Sequence, residues 1–166
     1  LKRFPFLAAF CILTVRGIIV NLGLFFHYGK QFQGREFINV EVWLLTIFIL
    51  LFTIAIAIFK DVPDLEGDRQ YQLATFSLIL GKVRVFQVTL GVITTCYLGM
   101  IVAGLINLKG LNSPFFIVSH LFLFGLLLWR SRDVDLEDKS KIASFYQFIW
   151  KLFFLEYLLF PLACSI

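Results

Sequence analysis

Five stretches of the chain are apolar almost without interruption: Leu7 to Phe26, Val42 to Phe59, Phe86 to Ile106, Pro114 to Trp129 and Phe145 to Cys164. A helix needs about 20 residues to cross a hydrocarbon core of about 30 Å, and in lipid it satisfies its own backbone polar groups. The pattern therefore predicts five membrane-spanning helices. The fourth stretch, at 16 residues, is the shortest. Ser113 followed by Pro114 reads as its cap and first helical position. No internal repeat, low-complexity tract or long linker divides the chain, so residues 1–166 are expected to form one all-α polytopic bundle.

Composition agrees. Hydrophobic residues make up 60% and charged residues 16%, with a mean hydropathy of +0.88, against roughly 45–50% apolar and 25% charged in soluble domains. The net charge of +4 has no basic stripe behind it, which argues against a nucleic-acid partner. Its placement is more informative. Lys2, Arg3, Lys60, Arg69, Lys82, Arg84, Arg130, Arg132, Lys139 and Lys141 fall on one side of five alternating spans, whereas Lys30, Arg35 and Lys109 fall on the other. Ten against three supports both the span count and an orientation with the Asp61 side in the cytoplasm. Cys11, Cys96 and Cys164 sit singly in apolar runs, which argues against a disulfide framework or zinc site and suggests small core residues. The chain opens on Leu1 without a signal-peptide cleavage site, as part of a longer protein would.

The strongest chemical signal is KDVPDLEGDR, at the end of the second stretch. On a continuous helix Asp61, Asp64 and Asp68 would share about 60° of arc, with Glu66 pointing away. Pro63 requires that a helix begin or kink there. Two carboxylates about 6 Å apart repel by roughly 3 kcal/mol at an effective dielectric near 20, so a bound cation is expected. Mg²⁺ suits a few carboxylates completed by water and phosphate, whereas the spacing fails an EF-hand. The competing reading is a solvated acidic loop neutralised by Lys60 and Arg69. An Mg²⁺ and diphosphate site at the mouth of an apolar bundle suits a lipid diphosphate, whose metal-neutralised head is a good leaving group.

KDVPDLEGDR after a span resembles the second aspartate-rich motif, D-x-x-D-x-x-x-D, of the UbiA-type intramembrane prenyltransferases. CILTVRGIIVNLG, AIFKDVPDLEGDRQ and RSRDVDLEDKSKIASFYQFIWKLFFLEYLLFPLA are similar to the cyanobacterial homogentisate phytyltransferase branch, and the similarity runs over nearly the whole chain. The resemblance implies transfer of a phytyl group from phytyl diphosphate to homogentisate with loss of carbon dioxide, giving 2-methyl-6-phytylbenzoquinol on the route to tocopherol. It implies that Asp61, Asp64 and Asp68 hold Mg²⁺ on the diphosphate, gripped also by Lys2, Arg3, Lys60 and Arg69. The family has nine spans, of which these five would be the last, and a first N-D-x-x-D motif that these residues lack. The segment alone is accordingly expected to be inactive. A solanesyl-using homologue, chlorophyll synthase and, in another class, a membrane transporter are the alternatives. The expected location is a cyanobacterial plasma or thylakoid membrane.

Arg16 lies near the middle of its span, where a charge costs roughly 2.5–3.5 kcal/mol on a translocon scale. Glu156 reaches similar depth in the last span. The two are expected to pair or share a polar network. Lys151 is expected to snorkel, and Asn21 to hydrogen-bond between helices. His27 and His120 have no acid or metal partner at useful sequence spacing, so plain satisfied histidines are expected. The 21 phenylalanines include rings that could face a carbocation, though most are expected to face lipid or pack the bundle. YQLATFSLILGKVRVF is expected to lie at the interface, where in the family this region caps the site.

Overall fold

A computed structural model of the chain describes residues 5–33, 39–70, 75–108 and 110–166, and every regular element among them is helical. Helix α1 (Pro5–Ile12) runs into a π-helical segment, Leu13–Gly23, and on into α2 (Leu24–Gln33). There follow α3 (Val40–Phe59), two short helices α4 (Leu65–Gln70) and α5 (Phe76–Leu80), and then α6 (Lys82–Leu105), α7 (Ser113–Arg132) and α8 (Lys139–Ser165). Five stretches are long and apolar enough to cross a membrane: Phe10–Tyr28, Val40–Phe59, Lys82–Leu105, Ser113–Arg132 and Lys139–Ser165. The protein is thus an all-α, polytopic membrane bundle.

Several span boundaries differ from the sequence reading, the last span among them, which starts at Lys139 rather than Phe145. The fourth span has 20 residues rather than 16, because its polar end Arg130–Arg132 remains helical. Its cap is Asn112, whose Oδ1 accepts from the Phe115 amide at 3.2 Å, one residue before the Ser113 expected from the serine-proline pair. The third span starts at Lys82, so the basic end of YQLATFSLILGKVRVF belongs to a span. Gly81, at φ +81°, makes the turn between α5 and α6, a conformation that L side chains disfavour.

Helix α3 is the hub, packing on the π-helical segment, on α6 and on α8, while α6–α7 and α7–α8 contacts complete the bundle. Half of the α3 span is buried, against 6% for Phe10–Tyr28, so the first span is a peripheral strut docked on α3. Lipid tails are as apolar as the side chains, so association depends on close packing rather than on water exclusion. Gly17 supplies that closeness: a Cβ there would lie 2.9 Å from Leu50 Cγ and nearer still to its Cδ2. In the core, Phe48, Phe52 and Tyr97 pack ring to ring at 5.3–6.2 Å, each pair worth about 0.5–1.5 kcal/mol beyond area burial. Thr46 and Thr53 are buried at no polar cost, because their hydroxyls donate to the carbonyls of Val42 and Ile49. All three cysteines are free. Cys96 is a core residue as expected, but Cys11 and Cys164 are exposed on the outer surface.

Candidate functional site

The aspartates stand where α3 stops. Pro63 has no amide hydrogen to extend the helix, and Phe59 is the last α3 residue, with turns from Lys60 to Asp64 before α4 resumes. The single helical face expected for Asp61, Asp64 and Asp68 is therefore broken. Asp61 and Asp64 lie in the turn, and the Asp68 backbone lies in α4. The side chains of Glu66, Asp68 and Arg69, and all of Lys2 and Arg3, lie outside the described residues.

Both described carboxylates have lysine partners. Lys60 donates to Asp61 Oδ1 at 2.5 Å, and Lys139, the first residue of α8, lies 3.9 Å from Asp64 Oδ1. The second contact was not legible from sequence, because it joins residues far apart in the chain. It shows that the start of α8 lies beside the end of α3. Among the described residues no group of three potential metal ligands converges. Asp61 and Asp64 nevertheless offer two hard carboxylates at one mouth, the number Mg²⁺ commonly takes from protein when water and phosphate complete its shell. The donor set fits that ion.

From this mouth a stripe of rings descends α8. Tyr146 packs on Phe59 at 6.2 Å, and Trp150 follows at 6.3 Å from Tyr146. Phe153 lies 5.7 Å from Trp150, and Tyr157 lies 5.5 Å from Phe153. The first span faces this stripe. The Arg16 guanidinium lies 4.6 Å from the Trp150 ring centre and 5.8 Å from that of Phe153. Tyr157 Oη donates to Asn21 Oδ1 at 3.2 Å, the interhelical bond expected of Asn21. The Asn21 amide in turn donates to the carbonyls of Arg16 and Gly17 at 3.0 and 2.9 Å, joining the π-helical turn to α8.

The expected Arg16–Glu156 pair does not form. Glu156 is fully buried and its Oε1 lies 3.1 Å from His120 Nε2, so His120 has an acid partner after all. Sequence spacing hid it, because the two stand 36 positions apart, across the whole turn between α7 and α8. Both residues nonetheless lie seven to nine positions from the end that α7 and α8 share. His120 Nδ1 is 2.7 Å from the Phe116 carbonyl, which can only accept, so Nδ1 carries a proton. A single proton then lies between Nε2 and Oε1, and the pair is neutral overall wherever that proton sits. Glu156 Oε2 and the Tyr97 hydroxyl are buried with no hydrogen-bond partner among the described residues.

Comparison with known proteins fits this arrangement. The UbiA prenyltransferase family model matches residues 1–152. The chain is 61% identical over 163 residues to "Homogentisate phytyltransferase" of Synechocystis sp., covering 98% of this chain and 53% of that protein. It is 40% identical to "Homogentisate phytyltransferase 1, chloroplastic" of Arabidopsis thaliana, covering 96% of this chain and 41% of the relative. It is also 34% identical to the "Homogentisate solanesyltransferase, chloroplastic" of the same plant, covering 97% and 42%. The chain thus spans about half the length of these relatives or somewhat less. No solved structure matches it. Five helices long and apolar enough to cross a membrane, together with a family-model match over most of the chain, place it in the UbiA prenyltransferase family.

Proposed function

We propose that this chain forms part of an Mg²⁺-dependent homogentisate phytyltransferase of tocopherol biosynthesis. The observation that carries the reading is the pairing of two aspartates and two lysines with a descending aromatic wall. An anionic head that needs metal and an apolar tail would find their partners side by side, at the aspartates and along α8. In the overall reaction the C1–O bond of phytyl diphosphate breaks and its electron pair leaves with the diphosphate. A homogentisate ring carbon bonds to C1 and gives up its proton. The side chain loses carbon dioxide, and a proton takes its place to leave a methyl group.

Asp61 and Asp64, with Asp68, would hold Mg²⁺, which when bound neutralises the diphosphate and makes it a better leaving group. Lys60 and Lys139 are positioned to exchange their carboxylate partners for phosphate oxygens. The half-buried rings of Tyr146 and Trp150 would give the allylic carbon a water-poor, π-rich surface. The lysine and arginine distribution supports a cytoplasmic orientation of the aspartates. The 166 residues alone are proposed to be inactive, because the family's first aspartate motif is not among them. The test is product identity. Membranes containing the full-length protein are given homogentisate with phytyl, geranylgeranyl or solanesyl diphosphate in turn. Phytyl transfer with the highest kcat/KM supports the reading; preference for solanesyl diphosphate would move the chain to that branch.

A further inference from the structure

Arg16 has no anion. Among the described residues its guanidinium meets the faces of Trp150 and Phe153, and no carboxylate lies within ion-pair distance. Glu156, the acid at comparable depth, is turned to His120. Two ring faces attract a cation, but less strongly than a desolvated carboxylate does. A charged residue at mid-span depth, with no counterion among the described residues, points to a ligand or a pathway.

The depth of Arg16 is informative. Gly17 abuts Leu50, eleven residues before Asp61, which sets the Arg16 backbone about 16 Å below the aspartate mouth. Its side chain slants toward the start of its helix, the Asp61 end, and stops at Trp150. Trp150 in turn is one helical turn, about 6 Å, below the Tyr146 ring that packs on Phe59. The guanidinium therefore lies roughly 10 Å below the mouth. That distance suits a metal-bound diphosphate followed by an aromatic acid whose ring is in near-attack contact with C1.

We infer that Arg16 binds the carboxylate of the aromatic acceptor and so holds the ring beneath the departing diphosphate, against the Trp150 side of α8. The inference rests on the reading that the acceptor is homogentisate, an arylacetate. Its guanidinium fork suits a carboxylate in a way that a lysine would not.

The test compares wild type, Arg16→Gln and Arg16→Lys, full length and in membranes. Two acceptors are used: homogentisate, and the same hydroquinone with the carboxylate replaced by a hydroxymethyl group. Arg16→Gln should raise KM for homogentisate on the order of 100-fold while leaving KM for phytyl diphosphate within about twofold. The neutral acceptor should serve wild type and variant equally, so that discrimination between the two acceptors collapses. If Arg16→Gln does not fold, Arg16→Lys, which keeps the charge but loses the fork, should show a smaller rise in the same parameter. An unchanged homogentisate KM, or an equal loss with both acceptors, would overturn the inference and leave Arg16 as the counterion of a protein carboxylate. Wild type that transfers no prenyl group to homogentisate overturns the proposed function first, and this inference with it.

Discussion

Removing one member of the His120–Glu156 pair should cost far more than removing both. In the His120→Leu variant Glu156 keeps a fully buried carboxyl whose Oε1 has lost its partner and whose Oε2 had none. Breaking a buried pair in this way costs about 3–5 kcal/mol. Glu156→Leu leaves a smaller debt, because His120 Nδ1 keeps its bond to Phe116 and only Nε2 is orphaned, at about 1–3 kcal/mol. If the effects were independent, the double variant would lose about 4–8 kcal/mol. With the polar groups gone together it should instead lie within about 2 kcal/mol of wild type, since apolar replacement of a buried pair is often neutral. Glu156→Gln gives a further check: its amide can donate to Nε2, so it should be milder than Glu156→Leu. The assay is the unfolding free energy of the full-length protein in mixed micelles, read as a double-mutant cycle. Coupling between the sites below about 0.5 kcal/mol would refute the account of the pair as one unit sharing one proton.

Other outcomes follow from packing and capping. Gly17→Val should weaken docking of the first span by about 1–3 kcal/mol, and Leu50→Ala in the same chain should restore much of it; a lowered melting temperature with no such restoration would contradict the contact. Asp138 caps α8, its Oδ1 accepting from the Ser140 amide and hydroxyl at 2.8 Å each, and the Ser140 bonds hold its carboxyl below the ordinary range. A depressed folded value means that the cap is intact above the ordinary carboxylate range and is lost as pH falls through the depressed value. Amide exchange at Ser140 and Lys141 should therefore accelerate on acidification beyond its chemical pH dependence, and Asp138→Ala should remove that extra response. Lys139→Glu should weaken phytyl diphosphate binding while leaving the melting temperature nearly unchanged, because its contact with Asp64 is exposed and such pairs contribute little to stability.

The spans were legible in the sequence because lipid demands long apolar helices. Their ends were less so, since Arg130 and Arg132 look like loop residues but continue α7. The aspartate mouth was visible as a motif, yet its geometry was not: Pro63 breaks the continuous helix that the spacing invites. Long-range partners were the least accessible. Arg16 and Glu156 have opposite charge and similar depth, which made them a natural pair. The helices instead give Glu156 to His120 and Arg16 to Trp150, because α7 and α8 are neighbours in the bundle whereas the first span reaches α8 only through long side chains. Lys139 was counted for orientation, but nothing in its local sequence marks it as a neighbour of Asp64.

The central claim is that the end of α3 binds metal and prenyl diphosphate. The most direct measurement is phytyl transfer to homogentisate by full-length protein in membranes, with Mg²⁺ and with chelator, for wild type, Asp61→Asn and Asp64→Asn. The account predicts metal-dependent product from wild type and a loss on the order of 100-fold or more in each variant, with the melting temperature retained. Metal-dependent transfer that survives both substitutions would contradict it and return the aspartates to a solvated loop.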